Sequence, residues 1–495
     1  MKLKIKFLKW SAGLPVVMLD NKTALKLGLH PKDRVLIKTL SKKPLEISTV
    51  VDTSEGLIKK NQIAISSEIK ERYNLKNGQK VEVNFAPLSE TLKFILKKLD
   101  GKSLSEKEIG TIINDISKNA VSEAEMALFI SAMYQKGMSM KETIYLIDAM
   151  SKSGGKLNLD KKKKPFVDKH SIGGVPGNRT TPLVVAICAA AGLTFPKNSS
   201  RAITSAAGTA DVIGVIAKVN FNLKQLKKIV NKTSACMVWG GGLGLVPVDT
   251  KLIQIEKSLN IDPKSQLLAS IMSKKLAVGS THILIDIPYG KGAKVSLKEA
   301  KELKKDFGYL GKHFKKKIKV VLTNGQHPIG RGIGPTLELK DILKIFQNDS
   351  SAPADLREKS IYLSGQIFEL AGKSKKGNGE KLAREMLNSG KAFEKFKEII
   401  KEQKGNLNRI KESKHELKIT AKSSGKIFRI DNKKLALLAR MAGAPTDVTA
   451  GVYLNKKVGE KFKKGETLLT IHAESYSRLY HAFRFYKKEK PLEMK

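Results

Sequence analysis

Asp168–Gly192 reads D-K-H-S-I-G-G-V-P-G-N-R-T-T-P-L-V-V-A-I-C-A-A-A-G, and Ser199–Asp211 reads S-S-R-A-I-T-S-A-A-G-T-A-D. Each is a polar, hydroxyl-rich loop set against apolar sequence. In the first, Phe166 and Val167 end an apolar run, and Gly173, Gly174 and Gly177 allow the backbone to approach a ligand closely. Thr181-Pro182 is expected to supply a helix N-cap with proline in the first turn, and Gly192 to stop the helix. Free N–H groups and the positive dipole end at such a helix start attract an anion. Lys169, Ser171, Thr180 and Thr181 add a charge and hydroxyl donors around it.

A glycine-rich connection can simply turn the chain, so one such loop decides little. The second loop shifts the balance, because Ser199, Ser200, Thr204, Ser205 and Thr209 place five hydroxyls, with the Arg201 guanidinium, in eleven residues. Hydroxyls and an arginine fork suit a second phosphate.

The two loops resemble those of the thymidine phosphorylase/anthranilate phosphoribosyltransferase superfamily. Within it, they are most similar to the archaeal AMP phosphorylases, which act on nucleoside 5′-monophosphates. The similarity covers essentially the whole chain. In the pyrimidine nucleoside relatives the second loop carries a Gly-rich, His-containing sequence in place of R-A-I-T-S-A-A, Arg201 to Ala207.

Length and composition agree. A chain of 495 residues is expected to hold three or four domains, and 41% hydrophobic content is ample for packed cores. The basic start K-L-K-I-K-F-L-K alternates like a strand rather than a signal peptide, and no apolar run approaches a membrane span. A cytoplasmic protein is expected. Cys188 and Cys236 lie in apolar surroundings, as reduced buried thiols do, and no Cys/His ligand spacing occurs. The net charge of +45 is mostly lysine spread along the chain, as at Lys161 to Lys164 and Lys315 to Lys317, with few interleaved aromatics and no nucleic-acid motif. It reads as a lysine-biased surface that steers anions inward, not as a specific nucleic-acid binder.

The fold class expected is α/β: a helical lobe and a mixed or parallel α/β lobe, with an N-terminal barrel-like β domain and a C-terminal hammerhead-like β domain. Residues 1–85 alternate in strand fashion and contain an echo, Leu27 to Ile37 and Tyr73 to Val83, each a turn followed by a strand. Residues 86–155 are helical: from Leu88 the period changes, Leu92, Ile95, Leu96 and Leu99 form a stripe, and capping boxes stand at Ser105/Glu108, Ser122/Glu125 and Ser139/Glu142. Ser151 to Gly155 and the lysine run after it look like a hinge. In residues 156–412 strand-like runs, Ile283 to Ile287 and Val320 to Thr323, alternate with helical ones such as Leu267 to Leu276, which implies a largely parallel sheet with its ligand at the strand carboxyl ends. The glycines of Gly325 to Pro335 read as supporting turns there. Residues 413–495 are β-rich again, and Val458 to Ile471 looks like a hammerhead of biotinyl type without a Met-Lys-Met carrier turn. This domain is expected to wall the site.

The resemblance implies the chemistry. Phosphate attacks C1′ of a nucleotide, so the enzyme needs an anion site beneath C1′ and a proton donor at the departing base. The phosphate-binding residues carried over are Lys169, Ser171, Thr181, Ser199 and Thr209, with His170 facing the base. The 5′-phosphate is expected against Ser200, Arg201, Ala202, Ile203, Thr204 and Ser205, and Gly174 and Thr209 also line the substrate. Asp262 precedes Pro263 at a turn into a helix, where its plain role is an N-cap; in the family the matching Asp protonates the leaving base, at N7 of a purine, and must be held protonated by an apolar site. Ser270 and Lys274, four apart, share a helix face and match base-contacting residues, and Lys294 matches a further nucleotide-binding lysine. Gln254 and Gly244 depart from the pattern, where Arg and Asn are expected.

The activity implied is phosphorolysis of AMP, and with it CMP and UMP, to free base and ribose 1,5-bisphosphate in nucleotide salvage. No metal or organic cofactor is called for, and a homodimer or larger homo-oligomer is implied, with dimer contact and lobe closure assigned to the helical part. The alternatives are a pyrimidine nucleoside phosphorylase, a phosphoribosyltransferase, for which no acidic metal ligands are identifiable, and a basic nucleic-acid binder on an inactive fold.

Overall fold

The computed structural model describes residues 1–8, 10, 15–41, 44–73, 75–86, 90–160, 165–202 and 205–495. Lys9, Leu88, Lys161 to Lys164, Ile203 and Thr204, named above, lie outside the described residues. Packing divides the chain into two units, Met1–Ser153 with Val248–Ala269, and Gly154–Pro247 with Ser270–Lys495.

The first unit opens with β1 (Lys2–Phe7), β2 (Val16–Asp20), α1 (Asn21–Lys26), β3 (Arg34–Thr39), β4 (Glu46–Ser54), β5 (Gln62–Ile65), α2 (Ser67–Tyr73) and β6 (Lys80–Phe85). The strands close into a barrel in the order β1-β5-β2-β4-β3-β6. Alternation drives closure: Leu3, Ile5, Val17, Leu19, Val35, Ile37, Val81 and Val83 all point into one core, while the lysines between them face water. The echo in the sequence is a structural duplication, since β2-α1-β3 and β5-α2-β6 are both strand, short helix, turn and strand, and β3 pairs antiparallel with β6.

Four helices follow, α3 (Glu90–Leu99), α4 (Glu106–Ser117), α5 (Glu123–Lys136) and α6 (Met140–Lys152). All three expected capping boxes form, each with the serine hydroxyl on the N3 amide and the glutamate on the cap amide. The expected α3 stripe is corrected. Thr91, Ile95 and Lys98 are the buried positions and Leu96 is 44% exposed. The helix is rotated because Lys98 lies inside against Glu142, Nζ to Oε1 2.9 Å, and Glu142 also accepts from the Leu104 amide at 3.0 Å. A buried charge with these partners holds its place in the core.

From Val167 on the chain runs through β7 (Val167–Ser171), α7 (Thr180–Ala190), β8 (Phe195–Ser199), α8 (Thr209–Gly214), α9 (Leu223–Thr233), β9 (Ala235–Trp239), α10 (Pro247–Leu259), α11 (Lys264–Val278), β10 (His282–Tyr289), α12 (Leu297–His313) and β11 (Lys317–Asn324), and its strands, all in the second unit, pair in parallel. Two parallel ladders, β11-β10-β7 and β8-β9, are joined by a parallel bridge between Phe166 and Thr194. The carboxyl ends of β7 and β8 therefore lie side by side, and the two marked loops leave from them. α7 is buried all round from Thr180 to Ala189, as a helix with no polar face must be. Residues 248–269, from α10 and the start of α11, cluster with the first unit and not with the α/β lobe in which the 156–412 boundary places them. Lys251 on α10 donates to the Ile116 and Ser117 carbonyls at the end of α4, which satisfies groups that a helix end leaves open.

The Gly325 to Pro335 segment leaves the parallel sheet. Its strand β12 (Gly332–Ile333) joins the C-terminal part, pairing antiparallel with residues 452–453. The glycines act as close-packing turns, as expected: a Cβ on Gly332 would stand 2.3 Å from the Leu337 carbonyl, and one on Gly334 2.4 Å from that of Ala450. After α13 (Pro335–Phe346), α14 (Ala354–Leu370), α15 (Gly379–Asn388) and α16 (Lys391–Glu402) pack against α7 in the same core. The C-terminal part consists of β13 (His415–Thr420), β14 (Gly425–Ile430), α17 (Asn432–Ala442), β15 (Gly451–Leu454), β16 (Lys461–Phe462), β17 (Thr467–Ala473), α18 (Tyr476–Glu489) and β18 (Leu492–Met494). Its strands form two sheets, β12-β15-β17-β13 and β16-β14-β18, packed with two helices. No described helix is long and apolar enough to cross a membrane.

Candidate active site

The first loop begins where β7 ends. Gly173 and Gly174 take φ +88 and Gly177 +68, left-handed values that side chains rarely adopt. A Cβ on Gly174 would stand 2.8 Å from the Lys294 amide, so this glycine is where the Gly290–Lys294 turn meets the first loop. The N-cap reading of Thr181 is corrected. Thr180 and Thr181 are the first two helical residues, and Arg179 occupies the cap position with φ −96, ψ 48 and no side-chain cap bond. The amides at this helix start remain open to an anion.

Lys169, 2% exposed, reaches Thr180, Nζ to Oγ1 2.8 Å. Burial lowers its pKa to about 7, against which Asp286 acts as a nearby counter-charge while Lys359, Lys197 and Arg179 press the same way as burial. The Ser171 and Ser199 hydroxyls, at the ends of β7 and β8, are buried and have no hydrogen-bond partner among the described residues. An unbonded buried hydroxyl is costly unless it serves a ligand. Thr209, 7% exposed, accepts from Arg179 Nη1 at 3.0 Å.

Two buried carboxylates underlie the lysines, and sequence reasoning did not single them out. Asp168, fully buried, accepts from Lys275 Nζ at 2.7 Å and Lys197 Nζ at 3.3 Å. Burial alone would raise its pKa, but the Lys197 and Lys275 charges hold it below the usual carboxylate range. Asp286 accepts from Thr323 Oγ1 at 2.6 Å and lies 3.2 Å from Lys359 Nζ. The signal was present in the sequence: one aspartate inside each of F-V-D-K-H and I-L-I-D-I-P, where a central strand forces a charge inward and requires a partner. His170 sits half-buried amid these cations, and burial followed by Lys275, Lys197, Lys274 and Lys169 holds its pKa well below the usual histidine value. It is a neutral imidazole at pH 7.

In the second loop Asp211 accepts from the Ala202 amide at 2.7 Å, the Gly208 amide at 2.9 Å and Arg201 Nη1 at 3.0 Å. Arg201 also lies over the Trp239 ring, 5.3 Å from its centroid. Ser200 is exposed and Ser205 donates to the Ala207 carbonyl at 3.0 Å. On α11, Ser270 and Lys274 share a face as expected, Nζ to Oγ 3.0 Å. Lys294 is exposed.

Asp262 belongs to the first unit and is exposed, with no apolar enclosure from the protein. The N-cap alternative also fails to describe it, since the Leu267 amide bonds the Pro263 carbonyl, which puts Asp262 one residue outside the helix start. Gln254 is exposed on α10, and Gly244 takes φ +62 with open space around its Cβ position, a conformation that asparagine also tolerates. Cys188 and Cys236 are buried, and burial pushes both thiols up, as inert thiols require.

Comparison with known proteins agrees with this architecture. Residues 92–154 match the helical bundle domain of a glycosyl transferase family, residues 163–393 the α/β domain of a glycosyl transferase family, and residues 426–492 the pyrimidine nucleoside phosphorylase C-terminal domain. AMP phosphorylases of Pyrococcus horikoshii and Pyrococcus abyssi are 47% and 48% identical to this chain over all of its length and 98% of theirs. That of Methanococcus aeolicus is 38% identical over 99% of this chain and 97% of its own. The crystal structure of anthranilate phosphoribosyltransferase from Thermus thermophilus superposes with a TM-score of 0.53 at 18% identity, covering 63% of this chain and 99% of that one, a likeness of fold.

Proposed function

Because the chain belongs to the AMP phosphorylase family, a family of pentosyltransferases, we propose that it cleaves nucleoside 5′-monophosphates with inorganic phosphate, yielding free base and ribose 1,5-bisphosphate. AMP is the principal substrate, with CMP and UMP also accepted, and the setting is cytoplasmic nucleotide salvage by a homo-oligomer. One observation supports the anion chemistry above others: the buried Lys169 ammonium stands at an uncapped helix start, and the buried hydroxyls of Ser171 and Ser199 lack a protein partner among the described residues.

In this reading inorganic phosphate lies against Lys169, Ser171, Thr181, Ser199 and Thr209. The 5′-phosphate lies against Ser200, Arg201, Ala202 and Ser205, with Ile203 and Thr204 assigned by resemblance alone; Gly174 lets the Lys294 turn approach the substrate. A phosphate oxygen bonds to C1′ as the C1′–N bond breaks, and positioning the two in line contributes several kcal/mol. Ser270, Lys274 and Lys294 receive the base. The transfer of a proton to the departing base is assigned to Asp262 by resemblance alone. A neutral His170 offers one N–H to the base and no cationic acid. The C-terminal part supports a wall role, because Asn432 Nδ2 donates to the Gly292 and Gly325 carbonyls at 3.2 and 2.8 Å, fastening α17 to the turn that carries Lys294.

Product analysis with AMP, CMP, UMP and adenosine tests the assignment. Adenine and ribose 1,5-bisphosphate from AMP are expected, with kcat/KM for AMP at least about a hundredfold above adenosine, since each charge-assisted bond to phosphate is worth about 1.5–3 kcal/mol. Equal kcat/KM for AMP and adenosine overturns it.

A further inference from the structure

The resemblance assigns no role to Arg179, yet Arg179 joins the two phosphate loops. Its Nε lies 2.7 Å from Glu338 Oε2, Nη1 donates to Thr209 Oγ1 at 3.0 Å, and Nη2 donates to the Ala207 carbonyl at 2.6 Å. Glu338, on α13, is 3% exposed and takes the Gly334 amide on its other oxygen at 3.3 Å, so the fork is anchored to the core on one side and to the second loop on the other. A guanidinium only donates, and it keeps its protons at any working pH. The Thr209 oxygen is therefore an acceptor in this bond, and its single proton is left to donate elsewhere. Among the described residues no acceptor takes it. The Lys169 ammonium does the same to Thr180 at 2.8 Å, so two cations fix two hydroxyls as donors, Thr180 at the start of α7 and Thr209 at the start of α8.

We infer that Arg179 is a positioning residue which turns the Thr209 hydroxyl into a dedicated donor to the attacking phosphate, with Glu338 holding the guanidinium in place. The inference deepens the phosphorylase reading and rests on its placement of phosphate at Thr209. An ion pair that merely stabilised the core would need neither the fork nor Thr209.

Calorimetric titration of the full chain with inorganic phosphate separates the two. Thr209→Val is expected to weaken phosphate roughly tenfold or more, the range for a charge-assisted bond. The double variant Arg179→Met/Glu338→Leu leaves no stranded charge and is expected to weaken it by a similar factor. Adding Thr209→Val to that pair should then cost little more, since both changes remove one donor. Arg179→Lys keeps the ion pair with Glu338 but cannot fork to Thr209 and Ala207, so it should not restore affinity. It decides the matter even if the double variant fails to fold. Parental phosphate affinity in Arg179→Lys, or losses that multiply in the triple variant, overturns the inference. A phosphate loss in a protein that leaves AMP intact sinks the phosphorylase reading and spares this one.

Discussion

Anion affinity at the first loop is expected to fall as pH rises through neutrality, because Lys169, the lysine bonded to Thr180 at the helix start, is buried. Lys169 is 2% exposed and its pKa is lowered to about 7 by burial, with Asp286 opposing. The sign follows directly: below that value the ammonium is present and attracts the anion, and above it the neutral amine offers one lone pair and no charge. With a pKa near 7, about one molecule in ten carries the charge a unit higher, so the dissociation constant rises about tenfold per pH unit, equivalent to about 1.4 kcal/mol. Sulfate is the suitable probe, since it stays a dianion across this range and contributes no titration of its own. Titrations from about pH 6 to 9 should give a flat region below 7 and a slope near one above it, with proton uptake on binding in buffers of different ionisation enthalpy. Lys169→Met should bind sulfate weakly and without the slope. Lys275, also lowered to about 7 by burial but bonded to Asp168, is the competing source of a titration there. A slope that survives in Lys169→Met, or a flat parental profile between pH 7 and 9, refutes the reasoning.

Three further outcomes follow from the same geometry. Arg201→Ala should remove most of the preference for AMP over adenosine, about 1.5–3 kcal/mol for each charge-assisted bond that the guanidinium makes to the 5′-phosphate, and leave adenosine turnover unchanged; retained discrimination in steady-state kinetics moves the 5′-phosphate elsewhere. Asp262→Asn should lower kcat on AMP by about 10²-fold or more with nucleotide binding retained, and parental turnover from about pH 5 to 8 would remove it from the acid role. Glu142→Gln strands the buried Lys98 charge and should cost about 3–5 kcal/mol in denaturant unfolding. Burial raises the Glu142 pKa, but bonds from the Leu104 amide and Lys98 outweigh this and hold it low, so its contribution is present above the usual carboxylate pKa and is lost as pH falls through the depressed value. An unchanged denaturation midpoint in Glu142→Gln excludes that reasoning.

Much of the architecture was legible in the sequence because local rules carried it. Serine at a cap and glutamate three residues on made the three helix starts in residues 105–142 readable, and the alternation of Leu3, Ile5, Val35 and Ile37 made the barrel strands readable. Lys169, Ser171 and Ser199 were legible as candidates because two hydroxyl-rich loops next to apolar sequence recur within one stretch, and the fold brings the ends of their strands side by side. Ser270 and Lys274 meet because a spacing of four is a property of any helix. What the sequence could not determine is which charges meet across distance. Lys98 inside the helical core, Asp168 between Lys197 and Lys275, and the Arg179 fork to Glu338, Thr209 and Ala207 join residues 28 to 159 positions apart. Only the packed strands and helices bring such groups together. Burial then decides their protonation, which is why the Lys169 pKa is lowered to about 7 and that of His170 beside it is held well below the usual histidine value.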